Sequence, residues 1–177
     1  MQSKSNLELK HFCPDFSKVR SVLKEMGAKK EAVKDQKDYF FDLPSAKKKT
    51  KARMKLRMEG KRQEIIYYER PDFIVGKETS SAIKLYDVAD RKLLPFLQAS
   101  LGVIAIVEKK REVWRIEHTV FFLDTVRNVG NIFEVELQKM GKINDKDRKL
   151  FKTYQVKLLP YLGKMIKGSN VDLVLKK

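Results

Sequence analysis

The stretch Arg53-Met54-Lys55-Leu56-Arg57-Met58 alternates basic and apolar residues. Because successive side chains of a β-strand point to opposite faces, it predicts a strand with three cations on one face and three apolar side chains on the other. A hairpin is predicted around it, with strands over Ala52 to Glu59 and Gln63 to Arg70 joined by a turn at Gly60-Lys61. The cations on the polar face therefore need solvent or an anionic partner.

Charged residues share one face in other predicted strands as well. The pairs are Glu8 and Lys10 in a strand over Lys4 to Phe12, Lys109 and Arg111 in one over Ile104 to Ile116, and Glu134 and Glu136 in one over Ile132 to Gln138. Further strands are predicted over Ala32 to Leu43, Ile83 to Tyr86 and Thr119 to Val126. Basic and acidic residues from several strands can therefore face one space.

Three amphipathic helices are predicted, over Phe16 to Met26, Ala89 to Ser100 and Asn144 to Leu162. Such helices can cover the apolar outer face of a barrel and leave the charged face inside. This predicts an α+β fold, a closed antiparallel β-barrel with a polar interior and flanking helices. An antiparallel sheet with one solvated face and one buried face gives the same alternation, so both interpretations stay open at this point.

The whole-chain composition points to one domain with an anionic partner. A length of 177 residues predicts a single domain over residues 1–177. The 39 Lys and Arg residues against 23 Asp and Glu give a formal charge of +16, which favours nucleic acids, acidic membranes or phosphorylated small molecules as partners. A single cysteine, no signal-peptide pattern and no apolar run near ~20 residues predict a cytoplasmic protein without a membrane span.

A closed space lined with like charges would be stabilised by an anion that carries several charges, and a triphosphate meets this requirement. The acidic residues on the same faces would repel that anion if they acted alone. They are explained if they are oxygen ligands of Mg²⁺ or Mn²⁺, which would bridge to the phosphates. The sequence therefore predicts a triphosphate site with a divalent cation.

Short motifs along the chain resemble the CYTH superfamily, the triphosphate tunnel metalloenzymes, and in pattern the class IV adenylyl cyclase branch. The motifs are Asn6-Leu7-Glu8-Leu9-Lys10, Gln36-Lys37-Asp38-Tyr39-Phe40, Arg53-Met54-Lys55-Leu56-Arg57, Lys109-Lys110-Arg111, Leu123-Asp124, Phe133-Glu134-Val135-Glu136 and Ser169-Asn170-Val171-Asp172-Leu173. The resemblance implies an eight-stranded tunnel in which basic side chains hold a triphosphate and glutamates hold one or two divalent cations.

The resemblance also implies a role for individual residues. The implied metal ligands are Glu8, Glu134 and Glu136, and the implied phosphate contacts are Lys10, Arg53, Lys55, Arg57, Lys84, Lys109 and Arg111. Lys10 and Tyr39 are the catalytic candidates, with a metal-bound water as the alternative base. Asp38 and Asp124 are expected to brace basic side chains, although each also fits a structural position on a strand or turn.

Two positions depart from the family pattern. Asn6 stands where the Glu-x-Glu-x-Lys signature has its first glutamate, and its neutral oxygen should weaken metal binding. In Tyr67-Tyr68-Glu69-Arg70-Pro71, Arg70 is expected to replace a lysine that many members carry one residue after the tyrosine. The departure at Asn6 therefore favours binding without catalysis as an alternative function.

Three functions remain open from the sequence. The first is enzymatic: an adenylyl cyclase-like conversion of ATP to cyclic AMP and pyrophosphate, or hydrolysis of an inorganic or organic triphosphate. The second is non-catalytic binding of a nucleotide or polyphosphate. The third is nucleic-acid binding through the lysine-rich segment Lys47 to Lys51, which is expected to be a loop, and the lysine-rich carboxyl end; it rests on net charge alone and is not favoured. Monomer and homodimer are both left open.

Overall fold

The computed structural model describes residues 4–48, 51–69 and 83–176. Its strands are β1 (Lys4–Phe12), β2 (Lys29–Phe41), β3 (Ala52–Glu59), β4 (Arg62–Glu69), β5 (Ile83–Val88), β6 (Val103–Ile116), β7 (Thr119–Val126) and β8 (Gly130–Met140). Its helices are α1 (Phe16–Glu25), α2 (Ser45–Lys48), α3 (Leu93–Leu101), α4 (Asp145–Leu158) and α5 (Asn170–Leu175). The strands form one antiparallel sheet in the order β1-β8-β7-β6-β2-β3-β4-β5.

The predicted strands are all present, and the predicted hairpin is β3 and β4 with Arg57 opposite Glu64. The helix expected to run to Leu162 ends at Leu158 and continues as a 3₁₀ turn over Leu159–Tyr161, which contains Pro160. Part of the segment expected to be a lysine-rich loop forms α2, and α5 was not predicted as a helix. The differences are thus confined to short elements and element ends.

Closure of the sheet is the part of the predicted fold that is not confirmed. In the described residues, no hydrogen-bonded ladder joins the edge strands β1 and β5. The sheet nevertheless curves around one cavity, which side chains from both edge strands and from five of the six strands between them line. The protein is therefore an eight-stranded antiparallel sheet with flanking helices that encloses a cavity on its concave face.

Helices cover the convex face of the sheet. Val19 and Leu23 of α1 and Leu158 of α4 are buried with Phe121 and Phe133 of the sheet in the largest hydrophobic cluster. Each such side chain contributes about 1.5–3 kcal/mol by leaving water. On the β2–β3 side, α3 buries Leu97 against other apolar residues of that face. The apolar face of the alternating strands is therefore the outer face, under the helices.

The charged concave face is buried too. Lys10, Asp38 and Lys109 have no more than 8% of their surface exposed, and Asp124 and Glu134 are equally well buried. A solvated polar face, the alternative explanation of the alternation, does not fit these exposures. In the described part of the chain, no helix combines the length and apolar character that crossing a membrane requires.

Candidate functional site

A cavity of about 440 Å³ lies on the concave face of the sheet. Its charged lining comes from six strands, and within each strand from alternate positions, as the period of two requires. The charged lining residues of these strands are Glu8, Lys10, Asp38, Lys55, Arg57, Glu64, Lys109, Arg111, Glu134 and Glu136. The structure thus brings together most of the site residues that the sequence predicted.

Three carboxylates form one group at the β1–β8 side of the cavity. Glu8, Glu134 and Glu136 each offer an oxygen, and these oxygens lie within 4.8 Å of one another. The register explains the grouping, because Glu8 is directly opposite Glu136 and Lys10 is directly opposite Glu134. The ammonium of Lys10 lies 3.0 Å from Glu134 and 3.5 Å from Glu8, so it neutralises part of their charge.

The carboxylate group fits a divalent cation. Burial and the neighbouring charge of Glu134 raise the pKa of Glu136. Burial alone would also raise the pKa of Glu134, but the charges of Lys10 and Arg111 outweigh it and lower that pKa. Closely spaced carboxylates of this kind repel one another, and a hard cation with oxygen ligands removes the repulsion. The carboxylates of Glu8, Glu134 and Glu136 therefore form a donor set that fits a hard divalent cation such as Mg²⁺ or Mn²⁺.

Asp38 binds two basic side chains that line the cavity, those of Lys55 and Arg57. Lys55 Nζ donates to Asp38 Oδ2 at 2.6 Å, and Arg57 donates from Nε and Nη2 at 2.8 and 2.9 Å. Burial would raise the pKa of Asp38, but the nearby charges of Lys55 and Arg57 outweigh it and hold the pKa well below its usual range. Asp38 thus stays ionised and orients both side chains toward the cavity.

Asp124 likewise binds two basic side chains, those of Arg111 and Lys109. Arg111 makes a bidentate contact with it, with both distances 2.6 Å, and Lys109 Nζ lies 3.1 Å away. Arg111 also donates to Glu134 at 3.1 Å, which links the basic centre to the carboxylate group. Burial acts to raise the pKa of Asp124, but the charges of Arg111 and Lys109 lower it. Both aspartates therefore act as internal counter-charges.

The two lysines of the basic centre have perturbed pKa values. Burial is the main cause, because it disfavours the charged form; it lowers the pKa of Lys55 to about 7 and that of Lys109 to about 8. Neighbouring guanidinium groups lower both values further, and the aspartates oppose the shift. An anion bound between these side chains would favour their protonated forms, so the cavity is poised to take up a polyanion.

Some predicted residues lie outside the cavity lining. Tyr39 is on the opposite face of β2 from Asp38 and packs in the cluster around Phe41 and Leu56, so the structure does not bring it to the site. Lys84 is exposed and is paired with Tyr67, whereas its neighbours on β5 line the cavity. Both strands alternate faces, which explains the separation.

Arg53 lies beside the cavity and is held by the C-terminal segment. Its guanidinium donates to the Ser169 hydroxyl and to the Asp172 carboxylate at the start of α5. Arg70 lies outside the described residues. Asn6 is described only by its backbone, which pairs with Gln138 of β8, the position next to Glu136 on the same face.

The sequence interpretation missed the contribution of α5 and of several apolar residues to the cavity. Ser169, Asn170 and Val171 line it, and the Asn170 amide Nδ2 donates to Asp124 at 3.3 Å. Ser169 and Asp172 form a capping box, in which each side chain bonds the backbone of the other. The Ser-x-x-Asp spacing was therefore a readable signal for a helix start at this place.

Comparisons with family models and with solved structures find matches over most of the chain. A family model described as the CYTH domain matches residues 5–165. The PH1012 protein from Pyrococcus horikoshii OT3 has a similar structure, with a TM-score of 0.74, 19% sequence identity, and 95% of this chain and 98% of that chain covered. No curated protein matches the sequence.

Two further solved structures carry functional descriptions of their own. An adenylate cyclase candidate from Vibrio parahaemolyticus has a TM-score of 0.68 and 14% identity, with 98% of this chain and 99% of that chain covered. The adenylyl cyclase candidate HpAC1 from Hippeastrum, described as having a dominant triphosphatase activity, has a TM-score of 0.67 and 12% identity, with 98% and 95% covered. At these identities the likeness concerns the fold.

Proposed function

Since this chain belongs to the CYTH domain family, we propose that it is a metal-dependent enzyme that binds a triphosphate in the central cavity and catalyses substitution at phosphorus. One observation carries the proposal. Three carboxylates within 4.8 Å of one another and the buried cations held by Asp38 and Asp124 line the same cavity. A site with both signs of charge suits a polyanion accompanied by a divalent cation.

In this proposal the basic side chains do the binding and the electrostatic work. Lys55, Arg57, Lys109 and Arg111 contact phosphoryl oxygens and stabilise the charge that spreads over them in the transition state. Arg53 lies on the same face of β3 as Lys55 and Arg57 and is proposed as a further phosphate contact. Because Asp38 and Asp124 already hold these groups in place, little reorganisation is needed when the ligand enters.

Glu8, Glu134 and Glu136 would hold Mg²⁺ or Mn²⁺, which when bound supplies Lewis-acid stabilisation of phosphoryl charge. Lys10 lies among these glutamates and is proposed to contact the adjoining phosphate. A proton acceptor is also required. The candidates for this role stay Lys10 and a water molecule that the cation would hold, because a phosphate bound at Lys55 would keep that lysine protonated.

Two reactions fit this site. In an adenylyl cyclase-like reaction, the ribose 3′-hydroxyl attacks the α-phosphorus of ATP, cyclic AMP forms and pyrophosphate leaves; the sequence motifs and the Vibrio protein's description support this candidate. In a triphosphatase reaction, water attacks the terminal phosphorus, the bond from that phosphorus to the bridging oxygen breaks, and the diphosphate leaves while the attacked phosphorus becomes orthophosphate; the description of the Hippeastrum protein supports this reaction. A non-catalytic binder is the third candidate, and Asn6 in the first signature position supports it.

Binding is tested by isothermal titration of the full chain with ATP, tripolyphosphate and duplex DNA, each with and without Mg²⁺. The proposal expects both triphosphates to bind more tightly with Mg²⁺ and DNA to bind weakly, with an affinity that falls steeply as salt is added. Tight DNA binding without triphosphate binding would refute the proposal.

Catalysis is tested by incubation with ATP, and separately with tripolyphosphate, in the presence of Mn²⁺, followed by chromatography of the products. Cyclic AMP with pyrophosphate identifies the cyclase, ADP with phosphate or hydrolysed tripolyphosphate identifies the triphosphatase, and both substrates unchanged identify the binder. Glu134→Gln and Glu136→Gln are expected to abolish any turnover. Glu108→Gln is the matched control, because Glu108 lies on the outer face of β6 and pairs with Lys37 and Arg127.

A further inference from the structure

The cavity has an apolar wall as well as a charged one. Ile66 and Tyr68 of β4 and Ile83 and Leu85 of β5 line it together. In the register of these strands, Ile66 lies opposite Leu85 and Tyr68 opposite Ile83, so the four side chains form two adjacent cross-strand pairs on one face. We call these four residues the β4–β5 wall.

Packing among the described residues does not account for the β4–β5 wall. Ile83 is 56% exposed and Leu85 is 60% exposed, although both face the cavity. Among the described residues, neither belongs to the three hydrophobic clusters of the fold. Exposed apolar surface that adjoins a built polar site is typical of a ligand groove.

The β4–β5 wall lies next to the basic side chains of β3 that are proposed to contact phosphate. Across β3 and β4, Lys55 lies opposite Ile66 and Arg57 lies opposite Glu64. The charged part of the β4 face thus ends at Glu64, and the apolar part begins beside Lys55. A group attached to a phosphate at Lys55 would therefore lie against Ile66 and Leu85.

We propose that the cavity takes an organic triphosphate, whose apolar or aromatic group lies on the β4–β5 wall, and that this wall makes the site prefer such an ester over inorganic triphosphate. The inference rests on the proposed function, since it assumes that the basic centre binds phosphates. An inorganic triphosphate is charged along its whole length and would leave the wall in contact with water. An ester with a large organic group covers the wall and gains the free energy of apolar burial.

The test compares four ligands with Mg²⁺ by isothermal titration: ATP, thiamine triphosphate, methyl triphosphate and tripolyphosphate. Methyl triphosphate is the critical reference, because it is an ester with the triphosphate charges but almost no organic group. At least one of the two large esters is expected to bind about tenfold more tightly than methyl triphosphate, the gain that burying one large apolar side chain would give.

Leu85→Gln is expected to remove most of that advantage and to leave the affinity for methyl triphosphate unchanged. Tyr86→Gln is the matched control: Tyr86 neighbours Leu85 on β5, is 72% exposed and lies on the opposite face of the strand. Because Leu85 is exposed, its substitution should leave the fold intact, and a thermal melt of each variant checks this.

The outcomes separate the inference from the function on which it rests. If methyl triphosphate binds as tightly as both large esters, or if Leu85→Gln weakens all ligands equally, the inference is wrong and the proposed function stands. If none of the four ligands binds the wild-type protein, the proposed function is overturned and the inference with it.

Discussion

Lys55 is a buried lysine whose protonation should control the affinity for phosphates. Its pKa is lowered to about 7, mainly by burial, so the free protein loses this charge as the pH rises through that value. Triphosphate affinity is therefore expected to fall between about pH 6 and about pH 8.5, and binding at neutral pH should be accompanied by proton uptake. Isothermal titration in buffers of different ionisation enthalpy measures both effects.

Lys55→Arg is the control for that prediction. An arginine stays charged throughout this range, so the variant should show a flatter pH profile and take up fewer protons. The ligand's own titration is the same for both proteins and cancels in the comparison. Identical pH profiles of wild type and variant would show that Lys55 does not titrate on binding.

Asn6 is expected to limit the affinity for the divalent cation. Its backbone position on β1 is on the same face as Glu8, two residues away, and next to the carboxylate group. Asn6→Glu adds a fourth carboxylate there, and the Mg²⁺ concentration needed for half-maximal triphosphate binding should fall several-fold because hard cations prefer charged oxygen ligands. Ser5→Glu, on the other face of β1, should have no such effect. Equal responses of the two variants would contradict the prediction.

Which site residues could be predicted depended on how each one reaches the cavity. Glu8, Lys55, Arg57 and Glu134 belong to alternating strands, so a local pattern of period two identifies their shared face. Asn170 reaches the cavity from a different part of the chain and touches Asp124 only after folding. Tyr39 was grouped with Asp38 by its place in a motif, whereas the alternation of β2 places the two on opposite faces.

Among the elements, α5 contributes residues to the cavity although its sequence has no strong helical pattern of apolar residues. The helix has six residues, too few for a hydrophobic period to be recognised, and its stability depends on its surroundings. Val171 is buried among Phe40, Val107 and Ile166, and Asp172 and Ser169 bind Arg53 of β3. Closure of the barrel could not be predicted either. It depends on whether the edge strands β1 and β5 pair, and the alternation of polar and apolar residues within each strand does not determine its partner.

Asp172 is expected to stabilise the fold through α5. Burial would raise the pKa of Asp172, but its bonds with Arg53 and Ser169 lower it, so it stays ionised as cap and ion-pair partner. Asp172→Ala should reduce the free energy of unfolding by about 1–2 kcal/mol at neutral pH, measured by urea denaturation. Because the folded-state pKa is lowered, this loss should shrink as the pH falls below about 4 and the carboxyl is protonated in both states.

Asp42→Ala serves as the comparison for that experiment. Asp42 is exposed and pairs with Lys48 on the surface, where ion pairs contribute little. Its removal should leave stability nearly unchanged at every pH. A loss for Asp172→Ala no larger than the loss for Asp42→Ala would mean that α5 is not held by this carboxylate.

At the scale of the whole molecule, the charge of +16 does not by itself show where an anion binds. Many lysines are on the outer surface, whereas Lys55 and Lys109 are enclosed with like charges around them. A ligand that binds only the folded protein stabilises it by an amount set by its concentration relative to its Kd. If the anion binds in the cavity, replacing lysines there should reduce this stabilisation, whereas replacing lysines on the outer surface should not.

Tripolyphosphate with Mg²⁺ at about 100 times its Kd should stabilise the protein by about 2.7 kcal/mol, which raises Tm by roughly 5–10 °C for a chain of this size. The double variant Lys55→Gln/Lys109→Gln should lose most of this increase. Lys18→Gln/Lys24→Gln replaces the same number of lysines on the exposed face of α1 and should keep the increase. Equal losses in the two variants would assign the effect to net charge, and equal retention would mean that Lys55 and Lys109 do not contact the anion. Differential scanning calorimetry at constant ionic strength provides the measurement, since surface electrostatics are screened by salt while contacts in the enclosed cavity are screened much less.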